Sequence, residues 1–357
     1  ASLTKRTIEY FHDDAEYVGA LTPTYEPKAT DHISEMISII EKLIKKNHAY
    51  ESDGNVLFAV DTFENYGQLS GKSLEDLIAG SRVEVAEYKK NSADFILWKP
   101  SKENEPGWDS PWGKGRPGWH IECSAMSEKF LGQMFDIHGG GQDLTFPHHE
   151  NEIAQSESCN DKKFANFWMH NGFLSIEGEK MSKSLGNFIT INELKNRYQG
   201  DVIRLNMLLT HYRQPLNWTE KGLKESKKTL DKWYKIIETN KQNLQQDHEN
   251  ISKKMMGALA DDVNTPLAIS ELHQLYKAAN DGDNKALNAF YNSCKFLGIL
   301  NSNYNDWNTW QPSDTNLDKN LINELIAKRN QARNSKDFSE ADRIRDELLN
   351  LGVILQD

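Results

Sequence analysis

MFDIHGGGQDLTFPHHENEIAQSESCNDKKFANFWMHNGFL, residues 134–174, decides the fold. An apolar run ends in three glycines, a helical pattern follows from His148, and a second apolar run closes the stretch. Strand, helix and strand in that order predict a parallel sheet with a helical crossover. Such sheets bind ligands at the carboxyl ends of their strands, and HGGGQD (138–143) sits at one such end. Upstream, HIECSAMSEKFL (120–131) has helical spacing, so the α/β grammar is expected over 119–190.

On the amino-terminal side, residues 5–18 look helical, and 29–50 form an amphipathic helix through Ile33, Met36, Ile37, Ile40, Leu43 and Ile44. NVLFAVD (55–61) and DFILWKP (94–100) read as strands, with a polar helical stretch between them around SLEDLIAG (73–80). A Gly/Pro/Trp-rich loop is expected over 101–119, and a structureless loop of that length is more often functional than decorative. After about residue 190 the strands are expected to stop, leaving five or more helices and an Asn/Asp/Ser-rich linker at 301–320.

The chain has 357 residues, which favours two or three domains. No run of about 18 apolar residues is present, so no spanning helix is expected. The first residues, ASLTKRTIEYF, read as neither a signal nor a transit peptide. Three scattered cysteines, Cys123, Cys159 and Cys294, are too few for a disulfide framework and suit a reducing compartment. A net charge of −11 confines any nucleic-acid contact to local basic stretches, for which 221–228 and 327–336 are the candidates. Nine tryptophans are many for this length, and packing accounts for most of them.

Three clusters carry chemistry. In FPHHENE (146–152), His148 and Glu152 lie four apart and share a helix face, while His149 is rotated by about 100°. With Cys123 from the preceding helix they make a thiolate, imidazole and carboxylate set that suits zinc. A buried cysteine beside a polar helix face is the alternative. EKMSKSLGN (179–187) places Lys180 and Lys183, with Ser182 and Ser184, on a loop after a strand. Ammonium groups there can neutralise polyphosphate charge, or the loop is simply solvated. His138, Gly139, Gly140 and Gly141 let backbone approach a flat or charged ligand, and Asp143 can pair with an ammonium group. A tight turn needs the same glycines.

The order GWHIECSAM, FDIHGGGQDLTFPHHENEIAQSE, WMHNGF and EKMSKSLGNF resembles the cysteinyl-tRNA synthetases among the class I aminoacyl-tRNA synthetases, over essentially the whole chain. The resemblance implies a Rossmann-like α/β parallel-sheet catalytic domain followed by an all-α tRNA- and anticodon-binding region. It implies a cytoplasmic, monomeric cysteine–tRNA ligase that uses ATP with Mg2+ to form cysteinyl-adenylate and charges tRNA(Cys). One zinc per chain would be held by Cys123, His148 and Glu152 and would select the substrate thiolate. Trp119 would line the pocket for L-cysteine, and Asp143 would hold its α-ammonium. His138 and the three glycines would lie along the adenylate. Lys180, Met181, Ser182, Lys183 and Ser184 would bind ATP, the two lysines stabilising the leaving pyrophosphate.

The resemblance also suggests a division of the chain. Residues 1–50 would be a helical remainder of the first catalytic half and 51–118 a connecting insertion. The second catalytic half, with zinc site and KMSKS loop, would span 119–190. A stem-contact junction (191–225), a helical bundle (226–300), the linker (301–320) and anticodon-binding helices (321–357) would follow. The family's first zinc cysteine and its H-I-G-H signature have no counterpart in the sequence, so the zinc would lack a fourth protein ligand. The expectation is that this chain alone does not form cysteinyl-adenylate. Two other readings are the related cysteine:sugar ligase of mycothiol synthesis and a non-catalytic tRNA-binding fragment.

Overall fold

Apolar spacing builds the first helices. α1 spans Ser2–Tyr17, and α2, Ile33–Lys45, buries Met36, Ile39, Ile40 and Leu43 along one face. The structure, a computed structural model, describes residues 2–71, 86–181, 186, 188–313, 319–335 and 337–350. The helical stretch expected over 73–80 lies outside these residues.

Next comes an antiparallel sheet of β1 (Ala49–Ser52), β2 (Asn55–Phe58), β3 (Phe95–Pro100) and β4 (Gly115–Pro117), in that order. Only β2 and β3 were legible as strands. The β1–β2 turn is Asp53-Gly54, with φ of 48° and 75°, the left-handed pair that a two-residue hairpin requires. The loop expected over 101–119 is partly paired: it closes through a Trp108–Gly115 bridge and continues as β4 against β3.

The α/β stretch follows the expected order. α3 (Trp119–Leu131) leads to β5 (Phe135–Gly141), α4 (Glu150–Asn160) and β6 (Ala165–Asn171). β5 and β6 pair in parallel, with Ile137 opposite Phe167. β7 (Leu174–Ile176) pairs antiparallel with β8 (Glu179–Lys180) and parallel with β9 (Leu216–Trp218). Strands therefore do not stop at residue 190. Three residues, LNW, are too short to show a period, and β9 is fixed by its pairing rather than by local pattern.

One core joins α2, the antiparallel sheet, α3 and α4 through Phe58, Leu97, Trp98, Ile121 and Ala154. At its rim the Lys129 ammonium lies 3.0 Å from Glu35, tying α3 to α2. That contact, with help from Ser34, holds the Glu35 carboxyl at about 2, below the ordinary carboxylate range. Because the folded-state value is depressed, the stabilisation is complete above an unfolded value of about 4.3 and fades as pH falls toward the folded value. Glu35→Gln is expected to cost less than about 1 kcal/mol at pH 7, as a partly exposed pair should. In urea titrations its difference from wild type should shrink between pH 6 and pH 3; a constant difference would remove charge as the cause.

A second core belongs to the helices α5 (Ile191–Leu194), α6 (Gly200–Leu208), α7 (Glu220–Thr239), α8 (Lys253–Ala260), α9 (Thr265–Asn280) and α10 (Asn284–Phe296). Their starts are chemically marked. Thr190 and Glu193 form a reciprocal capping box, while Thr219, Asn264 and Asp283 accept from backbone amides of the next turn. Inside lie Leu230, Trp233, Leu272, Phe290 and Cys294.

The stretch read as a linker carries α11 (Tyr304–Thr309), whose Trp307 is buried. Trp307 Nε1 donates to Asp231 at 2.8 Å, and its ring stacks on Tyr234 at 4.2 Å. α12 (Lys319–Asn334) and α13 (Phe338–Asn350) pack together through Leu325, Ile344 and Leu348. Of the candidate basic stretches, Lys221, Lys224 and Lys227 pair with carboxylates on their own helix, and Arg329 is buried.

Candidate active site

Two backbone features aim the first ligand helix. α3 begins directly after β4 with Gly118 at its cap, where a Cβ would collide with the Ile96 carbonyl. Glycine thus lets α3 start against the sheet, and Cys123, one turn in, stands beside His148 and Glu152. The second ligand segment does not open as the sequence suggested. Pro147 follows a cis peptide bond, and Phe146 is extended (φ −138°, ψ 134°) inside a wide turn over Thr145–His149. Regular helix starts only at Glu150, yet the four-residue relation survives: His148 Nε2 lies 3.0 Å from Glu152 Oε1.

Cys123, His148 and Glu152 converge, with their ligating atoms within 4.8 Å of one another. His138, His149 and Glu152 make a second group that shares the same carboxylate. Glu152 is completely buried. His138 Nε2 approaches its other oxygen at 2.9 Å, so each carboxylate oxygen faces one imidazole nitrogen at contact distance, without a well-aligned donor. Burial pushes this carboxyl up, and the two facing imidazoles outweigh it and hold it at about 2. Burial, with Glu152 beside it, pushes the Cys123 thiol up to about 12. A buried anion without aligned donors beside a thiol and imidazoles is a donor set for a thiophilic divalent cation, so the residues present fit zinc.

The surrounding polar residues, which the sequence left without a role, hold this centre in place. His120 and His148 share a hydrogen bond through their Nδ1 atoms at 2.8 Å, and His149 Nδ1 meets His170 Nε2 at the same distance. Burial lowers both His120 and His149 to about 4. Glu150 accepts from the amides of Gly67, Leu69 and Ser70, and Asn151 accepts from the Tyr66 hydroxyl. These four contacts come from chain some 80 residues earlier, which no local pattern signals.

A cleft of about 510 Å³ opens over the centre, lined by Cys123, His138, Gly139, His148 and Glu152, with Tyr25 and Phe130 as an aromatic wall at 4.8 Å centroid separation. Gly140 is required where it stands, because a Cβ would press on the His149 ring. Trp119 stacks 4.1 Å from His148 yet is 58% exposed. Asp143 is exposed on the Gln142–Leu144 turn, close against Gly141. Neither lines the cleft. Ser182, Lys183 and Ser184 lie outside the described residues. Lys180 is in β8, and the partly buried Met181 packs on the helical core.

The family model described as tRNA synthetases class I (C) catalytic domain matches residues 1–228. A DALR domain matches 254–301, and a cysteinyl-tRNA ligase anticodon binding domain matches 320–357. The chain belongs to the cysteinyl-tRNA ligase family. It is a class I aminoacyl-tRNA synthetase, α/β in its catalytic part and helical beyond. A cysteine–tRNA ligase of Pelagibacter ubique is 50% identical over 100% of this chain and 78% of its own length. That of Paramagnetospirillum magneticum is 51% identical over 100% of this chain and 79% of its own. Among solved structures, Mycobacterium tuberculosis methionyl-tRNA synthetase with methionyl-adenylate shares the fold at TM-score 0.55 and 12% identity, over 83% of this chain and 76% of that one. Among the described residues of this ligase, no helix is long and apolar enough to cross a membrane.

Proposed function

We propose that the protein is a cysteine–tRNA ligase that chooses its amino acid through a metal at Cys123, His148 and Glu152. The observation that carries this reading is the fully buried Glu152 carboxylate, whose two oxygens face the imidazoles of His138 and His148 beside the Cys123 thiol. A bound zinc ion would offer an open position to the substrate thiolate and lower that thiol's pKa, which serine's hydroxyl does not match. The protein's own groups position the rest. His120 fixes one edge of the His148 ring, and His138 fixes one side of Glu152. Tyr25 and Phe130 form an aromatic side of the cleft. Asp143 would hold the substrate ammonium with Trp119 beside it, and the glycine strand would carry the adenylate. Lys180 and Lys183 would neutralise the pyrophosphate of ATP as it leaves.

The matched anticodon-binding region at 320–357 supports tRNA(Cys), rather than a sugar amine, as acceptor. Cysteine-dependent ATP–pyrophosphate exchange in a polypeptide of the relatives' full length tests the activity, with serine as the competing amino acid. Exchange that is insensitive to chelation, or equal with serine, would overturn the metal-selection reading. Cys123→Ser is expected to lower zinc content at least 10-fold, because a hydroxyl is a poor soft ligand. Cys159→Ser, which changes a thiol buried in the first core, should leave zinc content unchanged.

A further inference from the structure

The turn between α8 and α9 carries Asp262 and Val263, both left-handed, at φ of 52° and 54°. That conformation is uncommon outside glycine and an outlier for a β-branched valine, so it persists only where the surroundings hold it. Here the Val263 and Asn264 amides donate back to the carbonyls of Leu259 and Ala258, and the Asn264 side chain caps α9. The Asp262 carboxylate is thereby set against the 211–214 turn, which joins α6 to β9.

That turn closes on the carboxylate from two side chains. The Tyr212 hydroxyl donates to Oδ1 at 2.6 Å, and Arg213 reaches both oxygens, through Nε and Nη2. An exposed ion pair adds little stability, but a bidentate one fixes geometry. The same turn holds the end of β6. Gly172, the residue after that strand, donates its amide to the Tyr212 carbonyl at 2.7 Å. A Cβ on Gly172 would lie 2.4 Å from the Gln214 carbonyl oxygen, so the two backbones touch. Two residues earlier stands His170, whose Nε2 meets Nδ1 of His149, and His149 lines the cleft. An unbroken line of contacts therefore runs from the helical bundle to the metal cleft.

We propose that Asp262 is a positioning residue for cysteine activation: from the helical half it fixes the 211–214 turn, and through it the end of β6 that sets His170 against His149. The helical half thereby has a part in amino-acid activation. Only the kinetic arm of the test rests on the ligase reading.

Asp262→Gly is the test, because glycine takes a φ of 52° freely and the change removes only the carboxylate clamp. In a polypeptide of the relatives' full length, its kcat for cysteine-dependent ATP–pyrophosphate exchange should fall at least about 10-fold, with the KM for ATP unchanged, as a small displacement beside the chemistry produces. Asp262→Asn, whose amide oxygen still accepts from Tyr212, should recover part of that loss. In the full chain, the ring-nitrogen NMR signals of His149 and His170 should shift in Asp262→Gly, while those of His12 and His48 stay. Zinc content and melting temperature should match wild type. Asp281→Asn, at the other end of α9, should change neither readout. Unmoved His149 and His170 signals, full exchange activity in Asp262→Gly, or a kcat loss accompanied by lost zinc or a lowered melting temperature would each overturn the proposal. A wild-type polypeptide without any exchange would sink the ligase reading instead, and the histidine signals would then decide the link alone.

Discussion

Glu152→Gln should empty the metal centre and stop cysteine activation while leaving the fold intact. The substitution keeps the side-chain volume and removes the charge that faces His138, His148 and Cys123 in a fully buried position. Taking one charge out of a buried, mutually supporting set costs about 3–5 kcal/mol, roughly two to four orders of magnitude in an equilibrium constant. Zinc measured after gel filtration should fall from one equivalent to near zero. In a polypeptide of the relatives' full length, exchange with cysteine should fall by about two orders of magnitude or more, with little change in the KM for ATP. Glu157→Gln on the same helix is the control: its carboxylate accepts from the Phe164 amide, a role that the amide oxygen of glutamine keeps. Full zinc content in Glu152→Gln would mean that the ligand set is wrong.

Trp233→Ala should be the most destabilising single change in the helical half. The side chain is 1% exposed and meets Phe290 and His273 edge-on, each at 5.2 Å. Truncating a buried tryptophan costs about 3–5 kcal/mol, through lost burial and through the cavity left behind. The loss belongs to the second core, which shares no buried residue with the core beneath the metal ligands. Urea should therefore unfold the helical half of the variant first, by fluorescence, while bound zinc persists to higher concentration. Zinc release that tracks the early transition would show that the two cores unfold as one. Trp119→Ala, at a position 58% exposed, should stay within about 1 kcal/mol of wild type.

Local pattern and compositional strings carried much of this in the sequence. The parallel pair β5–β6, the helices α3 and α4, and the shared face of His148 and Glu152 follow from period and spacing, whereas spacing alone left Cys123 open between a third ligand and a buried thiol. Features set by partners distant in the chain were not legible. β9 exists because β7 pairs with it, and the 301–320 stretch is ordered at α11 because Trp307 finds Asp231 and Tyr234. Asp53-Gly54 signals the β1–β2 hairpin, but the polar Ser52 and Asn55 on either side hide the strand alternation around it. His138 was read as part of a glycine loop. Its role facing Glu152 comes from the strand running beside α4, which fixes a distance that no spacing rule contains.

Glu150 sits between His148 and Glu152 in sequence but turns instead to the amides of Gly67, Leu69 and Ser70. Gly67 donates from a φ of 97°, a conformation that side chains other than glycine's rarely adopt. The turn that carries the ligands is thus moored 83 positions upstream, at a residue that never enters the cleft. Any metal affinity of this centre therefore has two addresses, and a survey confined to residues lining the cleft would find only one of them.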